Sequence, residues 1–184
     1  CKCFTDLITS RQINDGLQLY IDTYRDEYIK LMRKKIGLVI PAEQDWQLVE
    51  IILECLYSSQ VDYTTFFRKL SEFDIENFKT ENQVSKMFSG TDYGKWAAFY
   101  SKRIKEEQSS KQARKELMNS VNPKYILRNY IAQIAIEKAQ AGDYSEINMV
   151  YNILKNPFDE QPEFEEYSKT APEEYRNLSL SCSA

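Results

Sequence analysis

The 184 residues predict an all-α fold, an irregular helical bundle with an extended C-terminal tail, and three observations carry that prediction. Only five Gly and five Pro are present, too few for the turns of a β sandwich or barrel. The segments between them are long, and their apolar residues recur at steps of three and four, the period of a helix face. Hydrophobic residues make up 42 % of the chain and aromatics 13 %, enough for a core that removes roughly two-thirds of the unfolded surface from water.

Over residues 14–36, Leu17, Tyr20, Ile21, Tyr24, Tyr28, Leu31 and Met32 form one stripe, with Asn14 or Asp15 as the cap and Gly37 as the left-handed stop. Residues 41–59 predict a second helix whose apolar residues, Trp46 to Tyr57, cover most of its circumference, as in a central helix. Asp62 caps a short aromatic helix ending at Leu70. Residues 71–93 are less regular and predict short turns joined by loops. Trp96, Ala97, Phe99, Tyr100, Arg103 and Ile104 mark a helix over 93–107, and the mixed charges that follow, through Lys115, read as a solvated helical face.

Asn122 and Pro123 have the grammar of a helix start, an N-cap followed by Pro at the first helical position, and Gly142 closes that segment. Ile126, Leu127, Tyr130, Ile131, Ile134, Ala135 and Ile136 are spread around it and predict burial. Asp143 or Ser145 then caps a last helix through Leu154. The division expected is a helical domain over 1–156 and a tail over 157–184. Phe158, Phe164, Tyr167, Tyr175 and Leu178 need cover, so the tail is expected to be ordered over the helices, the alternative being a mobile tail.

Charge and residue chemistry exclude several functions. With 24 basic and 28 acidic side chains, the net charge of −4 offers no overall basic field for nucleic acid or anionic lipid. No apolar run approaches the ~18 residues of a membrane span. Histidine is absent, which removes Ser-His-Asp and Cys-His catalysis and His-based zinc sites. A phosphate-cradling Gly-rich loop is also absent, and the paired carboxylates sit in polar contexts that leave them solvated. Catalytic and metal-ligating residues are therefore not assigned in this chain.

Cys1, Cys3, Cys55 and Cys182 lack metal-site spacing and the density of a secreted scaffold, which points to a reducing compartment; the localisation expected is the bacterial cytoplasm, the alternative being the mitochondrion. Cys55 lies on an apolar helix and reads as core. Cys182, third from the end between serines, can reach a distant partner, its alternative being a tail thiol without a role. Arg128 and Asn129 are polar residues in an apolar segment and need partners, for Arg128 a carboxylate of the acidic tail. The chain opens at Cys1 on an apolar-periodic stretch, which reads as a cut within a longer protein.

The run Asn122-Pro123-Lys124-Tyr125-Ile126-Leu127-Arg128-Asn129-Tyr130 through Gly142-Asp143, then Asn156-Pro157-Phe158-Asp159-Glu160-Gln161-Pro162 and Ser181-Cys182-Ser183-Ala184, resembles the C-terminal end of the selenoprotein O family. The segments from Tyr28 to Gly37 and from Val61 to Leu70 are similar to that family's helical region. The resemblance implies part of a protein-kinase-like C-lobe with a helical extension, in a pseudokinase that uses ATP and Mg²⁺ or Mn²⁺ to transfer AMP to Ser, Thr or Tyr of protein substrates. It places the nucleotide-handling residues upstream, in an N-terminal kinase-like core that would be this chain's partner. It also implies a redox role for Cys182, similar in position to the selenocysteine or cysteine of family members. A second reading of the same residues is a stand-alone helical interaction module that docks a partner through its aromatic tail.

Overall fold

The computed structural model describes residues 7, 9–88, 92–175 and 178, and those residues are helical, with no strand among them. Seven α-helices are described: α1 (Ser10–Lys35), α2 (Asp45–Ser58), α3 (Tyr63–Leu70), α4 (Asp92–Glu107), α5 (Lys111–Val121), α6 (Asn129–Gln140) and α7 (Ser145–Lys155). Among the described residues no helix is long and apolar enough to cross a membrane.

Helix α1 begins ahead of Asn14 and Asp15, because Thr9 and Gln12 form a reciprocal capping box. It ends at Gly37, whose φ of 75° lets the Leu38 N–H return to the Arg33 carbonyl at 2.8 Å. A Cβ at Gly37 would stand 2.9 Å from Arg114 Cδ and from Met118 Sδ, so close packing against α5 also demands glycine there. Asp62 caps α3 by accepting the Thr65 N–H at 2.8 Å.

The main core is aromatic and lies between α2, α3 and α4. Trp96 is fully buried, stacks on Tyr100 with centroids 4.7 Å apart, and meets Phe66 and Phe73 edge-on. Its indole N–H donates to the Leu48 carbonyl at 2.9 Å, and the Tyr100 hydroxyl donates to the Ile36 carbonyl at 2.7 Å. Cys55 is buried in the same core. Helix α2 buries one face through Leu48, Val49, Ile52, Cys55 and Leu56, but Trp46 and Tyr57 are exposed on the other.

The charged run after α4 is not one solvated face. The chain turns at Gln108, with φ of 55°, and Ser110 caps a new helix. Glu107 and Arg114, on the inward sides of α4 and α5, are buried. Asn122 and Pro123 do not open a helix either, and they lie at the end of α5. Proline favours extended backbone at the residue before it, and Asn122 has φ of −110° and ψ of 103°. The Lys124 and Tyr125 N–H groups that a helix start would leave open both donate to the Pro157 carbonyl, at 2.8 and 3.1 Å. Helix α6 therefore starts only at Asn129. It pairs with α7 as a hairpin across Gly142, whose φ is 85°, at the edge of the molecule. That position leaves Leu127 and Ile136 exposed, contrary to the burial expected of them. The chain after α7 crosses the helices with 3-10 turns at Pro162–Ser168 and Glu173–Tyr175.

Candidate functional site

Two groups of paired charge organise the molecule, one buried inside the body and one nearer the surface where the tail crosses it. Within the body, Asp45 at the start of α2 is fully buried. Its carboxylate accepts from Arg103 Nε at 2.7 Å and the Ala42 N–H at 2.9 Å, and Arg33 Nε lies 2.9 Å away as an ion pair without hydrogen-bond alignment. Glu107 accepts from Arg103 at 3.0 Å and from the Val39 and Ile40 N–H groups at 2.6 and 2.8 Å, while Arg103 donates to the Ile40 carbonyl. Two cations and two anions thus balance, and they satisfy the backbone of the α1–α2 connection.

Where the tail crosses, Arg68 on α3 donates to the carbonyls of Asn119 and Asn122, at 3.2 and 3.0 Å, and to Glu160 at 2.7 Å. Lys124 donates to Glu160 at 2.6 Å and Glu165 at 2.5 Å. These hydrogen bonds, from Lys124 first and Arg68 second, lower the pKa of Glu160. Burial acts to lower that of Lys124, but its bonds to Glu160 and Glu165 outweigh this and raise it. A cleft of about 190 Å³ opens here, with Thr65, Lys69 and Asn119 on its wall beside the clasp. The Tyr125 hydroxyl donates to the Gln161 carbonyl at 2.8 Å, and the Gln161 amide donates to the carbonyls of Ile153 and Asn156 at the end of α7. Tyr167 donates to Glu146, itself bound by Lys138. Burial, then the Glu146 hydrogen bond and charge, push the Tyr167 phenol up to about 12.

The residues singled out in the sequence hold elements together, in part with other partners than expected. Asn122 accepts from Lys35 Nζ and donates to the Lys35 carbonyl, both at 2.8 Å, tying α5 to the end of α1. Arg128 does not meet the acidic tail. It forks onto Asp62 at 2.6 and 3.0 Å, because its place just before α6 faces the cap of α3, and Arg68 and Lys124 take the tail carboxylates instead. Asn129 does reach the tail, donating to the Leu178 carbonyl at 3.4 Å, and Tyr130 lies beside Tyr175. Phe164, Tyr167, Tyr175 and Leu178 are half-buried, and Phe158 is exposed. Cys182, Cys1 and Cys3 lie outside the described residues.

Burial acts to raise the pKa of Asp62, but the Arg128 fork and the Thr65 hydrogen bonds outweigh it and bring it from 3.8 to about 2. A carboxylate with a depressed folded pKa stabilises fully above its unfolded value and loses that contribution as pH falls through the folded one. Stability in urea is therefore expected to fall between pH 3.8 and about 2 by a component that Asp62→Asn removes. Parallel pH profiles of wild type and variant would contradict this.

The described residues form an all-helical class of fold in which the buried charges pair with one another and the tail crosses the helices. The chain belongs to the SelO family, since the family model described as protein adenylyltransferase SelO matches residues 1–155, from the start of the chain to the end of α7. It is 39 % identical over 184 residues to a protein nucleotidyltransferase YdiU of Pseudomonas putida strain F1 and 36 % identical over 183 residues to one of Pseudomonas aeruginosa LESB58. A Pseudomonas entomophila protein of the same name is 39 % identical. Each match takes in all of this chain and 37 % of the relative, so the chain spans just over a third of the length of the curated relatives it matches.

Proposed function

We propose that the chain is the C-terminal helical region of a longer kinase-like polypeptide that transfers AMP from ATP, with Mg²⁺ or Mn²⁺, to Ser, Thr or Tyr hydroxyls of protein substrates. In this reading the nucleotide is gripped by polypeptide beyond these residues, and the region from 1 to 184 supports it. The observation that carries the reading is a family match over residues 1–155 in a chain that spans 37 % of its relatives. The charge pairing supports it as well: Arg33, Arg68, Arg103, Lys124 and Arg128 each meet a carboxylate of the same chain, so these cations serve the fold.

Residues 1–156 form the helical body and 157–184 a docked tail, with Cys182 as its regulatory thiol. The clasp at Glu160 and the Asn129 bond to Leu178 support this by guiding the tail to within four residues of Cys182. By exchange with a small-molecule disulfide, which is reduced to two thiols, this thiol and a cysteine of the parent outside this chain are oxidised to a disulfide. A bacterial cytoplasm suits a protein with Pseudomonas relatives.

Incubating the full-length parent with ATP, Mn²⁺ and an acceptor protein is expected to add the mass of AMP to acceptor hydroxyls. Addition of phosphate alone, or no adduct, contradicts the assignment. Non-reducing peptide mapping of the oxidised parent is expected to recover Cys182 in a disulfide, and recovery only as the thiol removes the redox role.

A further inference from the structure

Helix α1 has two apolar faces, and the helical body covers one of them. Met32 and Ile36, with half-buried Ile29, form the inner face against α2 and α5. Leu17, Tyr20, Ile21, Tyr24 and Leu31, with half-buried Tyr28, form the second. At 100° per residue the centres of the two faces lie about 100° apart around the helix. Continuing the inner face toward the start of α1 reaches Arg25 and Gln18, so the second stripe is not an uncovered extension of the core.

Every residue from 14 to 27 is exposed, including Tyr20 at 66 % and Tyr24 at 57 %. The rings are nevertheless in register. Tyr20 stacks on Tyr24 at 6.2 Å, Tyr24 on Tyr28 at 6.0 Å, and Tyr28 leans on Trp46 of α2 at 5.8 Å. The surface is thus continuous across two helices. On the polar flanks the side chains bind one another, Gln18 to Asp22, Lys30 to Glu27 and Arg11 to Asp15. A helix standing this far off its body is marginal in water, and contiguous apolar patches mark interaction sites, where Tyr and Trp are enriched.

We infer that the Tyr20–Tyr24–Tyr28–Trp46 face docks onto the remaining polypeptide of the same parent, on a surface that is apolar at its centre and supplies acceptors for the phenol hydroxyls. The occupant follows from length. The relatives match the whole chain, α1 included, yet 63 % of their own length lies outside the match. The family match from residue 1 to 155 also contains this face entirely. The inference rests on the reading of the chain as part of a longer polypeptide.

The test is site-specific photo-cross-linking in the full-length parent, with p-benzoylphenylalanine at Tyr20 or Tyr24 and, as the control, at Gln18 on the polar flank. Irradiation is expected to join Tyr20 and Tyr24 positions to peptides outside residues 1–184, at monomer mass and several-fold more often than Gln18. Cross-links at dimer mass would assign the face to a second copy and overturn the proposal. Links confined to residues 1–184, or yields equal to those of Gln18, would also overturn it. Hydrogen exchange on the unmodified parent checks the same face without substitution: slow exchange over 17–28 is expected, and exchange as fast as in a solvated helix contradicts docking. Neither readout needs nucleotide or activity, so failure here is separable from failure to transfer AMP.

Discussion

Replacing Asp45 with alanine is expected to lower the unfolding free energy by about 3–5 kcal/mol, because it strips the counter-charge from two guanidinium groups inside the protein. Arg103, whose side chain is 2 % exposed, would keep only Glu107 as a charged partner, and Arg33 would lose the contact that draws the end of α1 to α2. The Ala42 N–H would lose its acceptor as well. Urea unfolding of wild type and variant measures the loss. Because the cost comes mainly from stranding a charge, Asp45→Leu combined with Arg103→Met should be less destabilising than the two single losses added together. A loss below about 1 kcal/mol for Asp45→Ala, within the range of exposed ion pairs, would contradict the structural role given to the network.

Trp96→Ala should cost a comparable amount, about 3–5 kcal/mol. The indole is fully buried and contacts Phe66, Phe73, Tyr93 and Tyr100, so its removal opens a cavity where rings of α3, α4 and the stretch after α3 meet. It also removes the second hydrogen bond of the Leu48 carbonyl, which keeps its partner within α2. Trp96→Phe keeps ring packing but not the N–H donor, and a smaller loss of about 0.5–1.5 kcal/mol is expected for the one hydrogen bond removed. Thermal or urea unfolding of the two variants separates packing from hydrogen bonding. Equal losses for Ala and Phe would mean that the ring stack contributes nothing measurable.

The contrast between these two sites shows what was legible in the sequence. Trp96 and Tyr100 fall one turn apart on an apolar stripe, and period alone marks their helix. Arg103 and Glu107 continue that stripe at the same spacing, so two opposite charges there were a signal of a buried pair that charge patterning by itself reads as solvated. Asp45 carried no such signal, since its partners come from α1 and α4 and meet it only through tertiary packing.

Local grammar succeeded where its groups were left to local use and failed where distant elements claimed them. Asp62 caps α3 as expected, and Gly37 takes the left-handed turn. Asn122 and Pro123 have an equally good start signal, but Lys35, Arg68 and the Pro157 carbonyl engage the groups around them. Thr9 and Gln12 were the overlooked signature, a capping box that ends five residues before the apolar stripe begins at Leu17. The tail clasp depended on long-range pairing of Arg68 and Lys124 with Glu160 and Glu165, and no spacing rule links those positions.

The division of labour between support and chemistry is tested most directly by mapping where nucleotide sits in the full-length parent. Photoaffinity labelling with an azido-ATP analogue, followed by peptide mass mapping, is predicted to mark only peptides outside residues 1–184, with unmodified ATP competing the label away. Competable label on the helices or tail described here would contradict the account.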